Sequence, residues 1–266
     1  MLAALFLHPA TTDVTTRGYT PPALVPTISS AVAAARAAAI AAAPGEHMLL
    51  PGPRTFYDQQ KVPCCVSCAL ASAMEALNPS WPRLAALFHY YVCNFERGLG
   101  DPNGSLPLGS ATLTPLGVEG VCESVDYPVP FTIAGASTPP SQVAFDDAKM
   151  HRLAGDGSSL RFRRLTGTSI AAAVRDALNQ EHPVVIGFTL PVGYPDRFLD
   201  SSYAWNDPMI ARDTGGHCVT AVGFSDARSA VRIHDCQGAS AFDRGRWWMG
   251  YRILDSTFVG DAFSLG

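Results

Sequence analysis

Residues 183–190 read Pro-Val-Val-Ile-Gly-Phe-Thr-Leu, an apolar run with almost no polar interruption. A run of that length and composition forms a strand buried on both faces rather than an amphipathic edge. Residues 219–224, 230–234 and 247–254 are further strand candidates downstream. Upstream, the apolar spacing is helical. From Cys65, the positions Val66, Leu70, Ala73 or Met74, and Leu77 recur on one face until Asn78-Pro79 ends the helix. A second helix follows Ser80, with Leu84, Phe88, Tyr91 and Phe95 on one face. A third begins at a Thr168 cap and carries Ile170, Val174 and Leu178 along one stripe. Helices gathered in the first half and strands in the second predict an α+β fold of two lobes, with a site in the cleft between them.

Three regions follow from this. Residues 1–50 are an N-terminal flanking segment rich in Ala, Pro and Thr, in which 30–43 reads as one Ala-rich helix stopped by Pro44-Gly45. Residues 51–160 form the mainly helical lobe and 161–266 the mainly β lobe. At 266 residues, one large domain or two packed lobes is the expected size. The net charge is −4 with no Lys/Arg cluster, which disfavours nucleic acid and anionic membranes as partners. No stretch is apolar for the length of a spanning helix. The opening Met1-Leu2-Ala3-Ala4-Leu5-Phe6-Leu7 lacks a cationic start and runs into His8-Pro9, a poor secretory signal. Seven cysteines without framework spacing predict a mostly reduced protein and favour the cytoplasm.

The chemistry sits at two places. Cys65 opens the first helix, six residues after Gln59 and ten before Glu75. A thiol there faces the positive end of the helix dipole, which favours the thiolate. Far downstream, Gly215-Gly216 delivers His217 onto the start of an apolar strand. Thiol, distant histidine and a third orienting group are the parts of a covalent acyl-transfer site. Cys68 is the rival nucleophile, but it lies further from the dipole end and lacks the Gln59 spacing. Cys65-x-x-Cys68 falls inside one helix with no second pair downstream, so no metal or other cofactor is expected.

These segments resemble those of the papain-like cysteine peptidases, particularly the bacterial members. The similarity runs through Asp58-Gln59, Cys65 and Ala69-Leu70-Ala71, then Phe88-His89-Tyr90-Tyr91, then Gly117-Val118-Glu119 with Tyr127-Pro128. It continues through residues 183–191, Gly216-His217 to Gly223-Phe224, and Ile233-His234-Asp235-Cys236-Gln237-Gly238 with Trp247-Trp248-Met249-Gly250-Tyr251. The resemblance implies a helical lobe and an antiparallel sheet or barrel lobe. It implies Cys65 as nucleophile, His217 as base and acid, Asp235 as the group orienting His217, and Gln59 as an oxyanion-hole donor. Peptide or protein substrates follow from it. Three departures stand out. Asp235 takes the place of the family's asparagine, Gln237 that of the tryptophan shielding it, and Val66 that of the tryptophan after the nucleophile. The N-terminal region is also shorter than the inhibitory propeptide of many relatives. Two further functions fit the same residues: a Cys-His-Asp leader-peptide protease or acyl transferase, and an inactive binding protein of the same fold.

Overall fold

The apolar run lies where its composition requires. It forms β3 (Val184–Pro191), paired with β5 (Arg212–Ser225) on one side and β8 (Val259–Leu265) on the other, with only Thr189 incompletely buried. The computed structural model describes residues 45–49, 53, 55–153, 162–195 and 204–266, so the helix expected at 30–43 lies outside the described residues. Among them are β1 (Glu46–Met48), β2 (Phe162–Arg164), β4 (Ala204–Trp205), β6 (Ala230–His234) and β7 (Arg246–Gly250). The eight strands run in the order β2-β8-β3-β5-β6-β7-β4, with β1 added to β5. Every pairing is antiparallel except the parallel contact of β4 with β7. This is the expected α+β architecture.

Helix α1 (Cys65–Leu77) is buried at every position from Cys65 to Glu75. Its small and apolar residues allow this, because a helix apolar all round belongs in an interior. Thr220 of β5 donates its hydroxyl to the Ala69 carbonyl at 2.8 Å, fixing the helix against the strand that carries His217. Two cores meet along this contact. One surrounds α1 and the helices after it; the other fills the outer side of the sheet with Phe188, Trp205, Trp247 and Phe258. Each fully buried side chain of the Leu70 or Phe88 type contributes about 1.5–3 kcal/mol of transfer free energy.

Three local expectations are corrected. The second helix is α2 (Ala86–Tyr91), which passes into a π-helical turn, Val92–Glu96. The wider turn breaks the 3.6-residue phase, so Phe95 points outward and is 54% exposed instead of continuing the buried face. The strand expected through residue 254 stops at Gly250. Its partner β6 begins at Ala230, opposite Gly250, and beyond that point there is nothing to pair with. The Tyr251 N–H turns back to the Ser229 carbonyl at 2.8 Å, and the chain becomes a one-turn helix, Tyr251–Leu254. The helix over Ile170–Asn179 is capped by Ser169, not Thr168, through a 3.0 Å bond from Ala172 N–H. Among the described residues no helix is long and apolar enough to cross a membrane.

Candidate active site

The segment leading to Cys65 is held by a buried carboxyl group. Glu75, in the last turn of α1, accepts from the Tyr57 hydroxyl at 2.8 Å, the Leu84 N–H at 3.1 Å and the Thr55 N–H at 3.1 Å. Residues 55–57 are thereby laid along the helix, and Gln59 follows against the loop after β6. The Gln59 N–H donates to the Cys236 carbonyl at 3.0 Å, and the Cys236 thiol donates to Gln59 Oε1 at 2.8 Å. With the oxygen occupied, the amide nitrogen is the end of Gln59 left to act as a donor. Cys65 then starts α1. No side chain caps the helix and no acidic residue stands in its first turn, so its positive end is left uncompensated beside the thiol.

On the sheet side, His217 stands opposite Phe188 of β3, within β5 and not at its start: the strand begins at Arg212, and Gly215-Gly216 lies inside it instead of forming the expected turn. Its Nε2 is 3.0 Å from Asp235 Oδ1, and its Nδ1 is buried without a hydrogen-bond partner. The ring is packed between Phe188 and Tyr194, at centroid distances of 5.8 and 5.4 Å. Asp235, directly after β6, is fully enclosed. Oδ1 receives His217 and the Cys236 N–H at 2.7 Å; Oδ2 receives the Tyr194 hydroxyl at 2.5 Å and the Trp247 indole N–H at 2.7 Å. Four donors fill the four lone-pair positions of one carboxylate. Burial works against its charge, but His217 together with the Tyr194 and Trp247 bonds outweighs it and holds the Asp235 carboxyl below the usual carboxylate range.

Three of the four residues singled out in the sequence are joined by hydrogen bonds: Gln59 and Asp235 both bond to Cys236, and Asp235 bonds to His217. The Cys65 thiol interacts with Cys218 and Cys236, the residues that directly follow His217 and Asp235. One expectation fails. Burial pushes the Cys65 thiol well up, and the neighbouring thiols Cys218, Cys236 and Cys64 add to it, with only the Cys218 backbone N–H acting the other way. The helix end does not leave a free thiolate here; desolvation dominates. Cys68 is buried too, 3.7 Å from the Cys64 sulfur, and its thiol is likewise pushed up by burial. His234 faces away, as strand alternation implies, bonding the Thr55 carbonyl at 2.8 Å.

The sequence reading missed Tyr194, Trp247 in its bonding role, and Cys236. The shield absent at Gln237 is supplied from elsewhere: Trp247 from β7 and Tyr194 from the turn after β3. Only the Trp-rich run 247–248 carried a signal, and it gave no direction. A metal at this spot would need His217, Asp235 and Cys236, whose ligand atoms lie within 4.8 Å of one another. Both Asp235 oxygens are already saturated by donors, so the set does not offer an ion a carboxylate.

No protein-family model matches the sequence, and no curated protein matches it. Solved structures do. Xylellain, a cysteine protease from Xylella fastidiosa, superposes with a TM-score of 0.70 at 22% identity, covering 94% of this chain and 96% of that one. Digestive procathepsin L 3 of Tenebrio molitor larval midgut gives 0.63 at 14% identity, covering 94% and 76%. The bromelain protease from Ananas comosus, in complex with the E64 inhibitor, gives 0.59 at 10% identity, covering 83% and 98%.

Proposed function

We propose that this chain, which has the fold of the papain-like cysteine proteases, is itself a peptidase that cleaves peptide bonds through a thioester on Cys65. The observation that carries the proposal is the His217 ring. One nitrogen is fixed by Asp235 at 3.0 Å while the other, buried and uncommitted, belongs to a site whose thiol opens a helix. Because burial favours the protonated thiol, His217 Nδ1 takes the proton as sulfur attacks the scissile carbonyl carbon. The oxyanion formed is met by the Gln59 amide nitrogen and the Cys65 backbone N–H, donors that act on charge present only in the transition state. Collapse breaks the C–N bond, and the imidazolium returns its proton to the departing amine. Water, deprotonated by the same nitrogen, then attacks the thioester. A second collapse releases the acid and restores the thiol. Asp235 stays ionised throughout, holding the ring's tautomer and favouring the imidazolium.

An aspartate in place of asparagine also suits a leader-peptide protease or acyl transferase, which would differ in the acceptor of the acyl group and not in these steps. Peptide-library digestion read by mass spectrometry tests the proposal: the wild type should cut defined bonds with water as acceptor, and Cys65→Ala should cut none while folding normally. Cleavage that survives in Cys65→Ala, or none by the wild type, would reject it.

A further inference from the structure

Outside this site, one group of side chains is arranged without a job. His151 follows the helix Gln142–Ala148 and is 6% exposed, with its Nδ1 buried and lacking a hydrogen-bond partner. Nδ1 is 3.5 Å from Asp147 Oδ2, and Nε2 is 3.7 Å from Glu123 Oε1. An imidazolium held by two carboxylates closes to hydrogen-bond length, about 2.7–2.9 Å. Here the ring stands off both. One ligand atom from each of the three residues lies within 4.8 Å of the other two.

The backbone around them is built to hold this spacing. Gly120, at φ +83°, lets the loop press onto the end of the helix, where a Cβ would sit 1.9 Å from the Ala148 carbonyl oxygen. The Val121 N–H reaches the His151 carbonyl at 3.2 Å, and the Glu123 N–H donates to Asp147 Oδ2 at 2.7 Å, leaving that carboxylate further lone pairs. Trp81 meets the His151 ring edge-on at 5.2 Å and limits its rotation. Glu123 and Asp147 side chains are 31% and 20% exposed, so the cluster has a route to solvent.

We propose that Glu123, Asp147 and His151 bind one divalent transition-metal cation of the zinc class, cross-linking the loop after residue 119 to the end of the helix Gln142–Ala148. One imidazole and two carboxylates suit zinc or cobalt better than calcium, which takes oxygen ligands alone. Two carboxylates with a neutral imidazole balance a dication, and water completes the coordination on the exposed side. The cation binds the folded chain and not the unfolded one, so it raises the unfolding temperature.

The test is titration of the full chain with Co2+ and Zn2+. One equivalent of Co2+ should bind with ligand-field absorption and no thiolate charge-transfer band, which separates this cluster from the buried cysteines. Zn2+ should raise the Tm by several degrees over an EDTA-treated sample. Asp147→Asn and His151→Gln should each weaken binding at least tenfold and remove the Tm rise. If either variant folds poorly, Glu123→Gln at the most exposed ligand should still weaken binding at least tenfold, no less than the roughly 10–100-fold that loss of a ligand's hydrogen-bond partner costs. Absence of saturable binding, a thiolate band, or binding unchanged in all three variants would overturn the proposal. No readout uses peptide turnover, so it stands or falls apart from the peptidase reading.

Discussion

Among the described residues, Glu75 and Asp235 are the two fully enclosed acidic side chains, one on either side of the helix–sheet contact, 2% and 1% exposed. Both are surrounded by donors, yet the donors differ in kind. Those of Glu75 are a tyrosine hydroxyl and two backbone N–H groups, and all three position chain: the approach to Gln59 and the start of the segment before α2. Those of Asp235 are the His217 ring, which the proposed mechanism has taking up and returning a proton, and three groups that hold the carboxylate in place. The same burial makes one acidic group a brace and, on the proposed mechanism, the other a working part, and the partner decides which.

Asp235→Asn should have the largest effect. An amide has two acceptor positions and two donors, so in one orientation its NH2 meets the Trp247 N–H and in the other the Cys236 N–H, neither of which can accept. An unsatisfied buried donor costs about 1–3 kcal/mol, and the imidazole loses its fixed tautomer. Turnover per folded molecule should fall a hundredfold or more, by analogy with triad aspartates. Equal kcat in this variant would mean that the family's asparagine and this chain's aspartate are interchangeable here. Glu75→Gln should lower stability by about 1–3 kcal/mol in urea unfolding while the folded fraction keeps its kcat; a comparable loss of kcat would erase the contrast.

Acid sharpens the same contrast through histidines. Burial lowers both His89 and His234 from 6.5 to about 4. Between those values the unfolded chain binds protons that the folded chain does not, so stability falls as pH drops from 6.5 to 4. The slope is about 1.4 kcal/mol per pH unit for each histidine. Asp235 acts lower: its depressed carboxyl contributes fully above about pH 4, the unfolded value, and is lost only as pH falls through its folded value. Urea midpoints at pH 7 and pH 5 should therefore differ, and His89→Gln should flatten that dependence. The smallest effect belongs to Cys236. Cys236→Ala frees the Gln59 oxygen and should lower kcat by about tenfold, within the hundredfold of losing an oxyanion donor. Cys236→Ser, which keeps a donor, should restore most of it.

How much of this was legible depended on range. Cys65 at a helix start and Asp235 after a strand are local patterns, and the chain states them directly; Gly215-Gly216 marked His217 too, but as part of β5 and not as a turn before it. The α+β segregation was equally plain from periodicity. The donors that complete the site were not, because Tyr194 and Trp247 reach Asp235 across 41 and 12 residues with no spacing rule to connect them. Phe95 was misread because a π turn resets helical phase, and 251–254 because a strand ends where its partner does, which no single segment records. The raised Cys65 thiol was invisible for the same reason: the dipole is a property of its own helix, whereas its burial and the neighbouring thiols Cys218 and Cys236 come from segments far along the chain.

Labelling with a mechanism-based epoxide, followed by peptide mapping across all seven cysteines, tests the assembled site most directly. A single adduct at Cys65 is expected, forming faster as pH rises because the thiol ionises late, and slowed at least a hundredfold in His217→Ala. An adduct at Cys68 or Cys236, or labelling indifferent to His217, would contradict it.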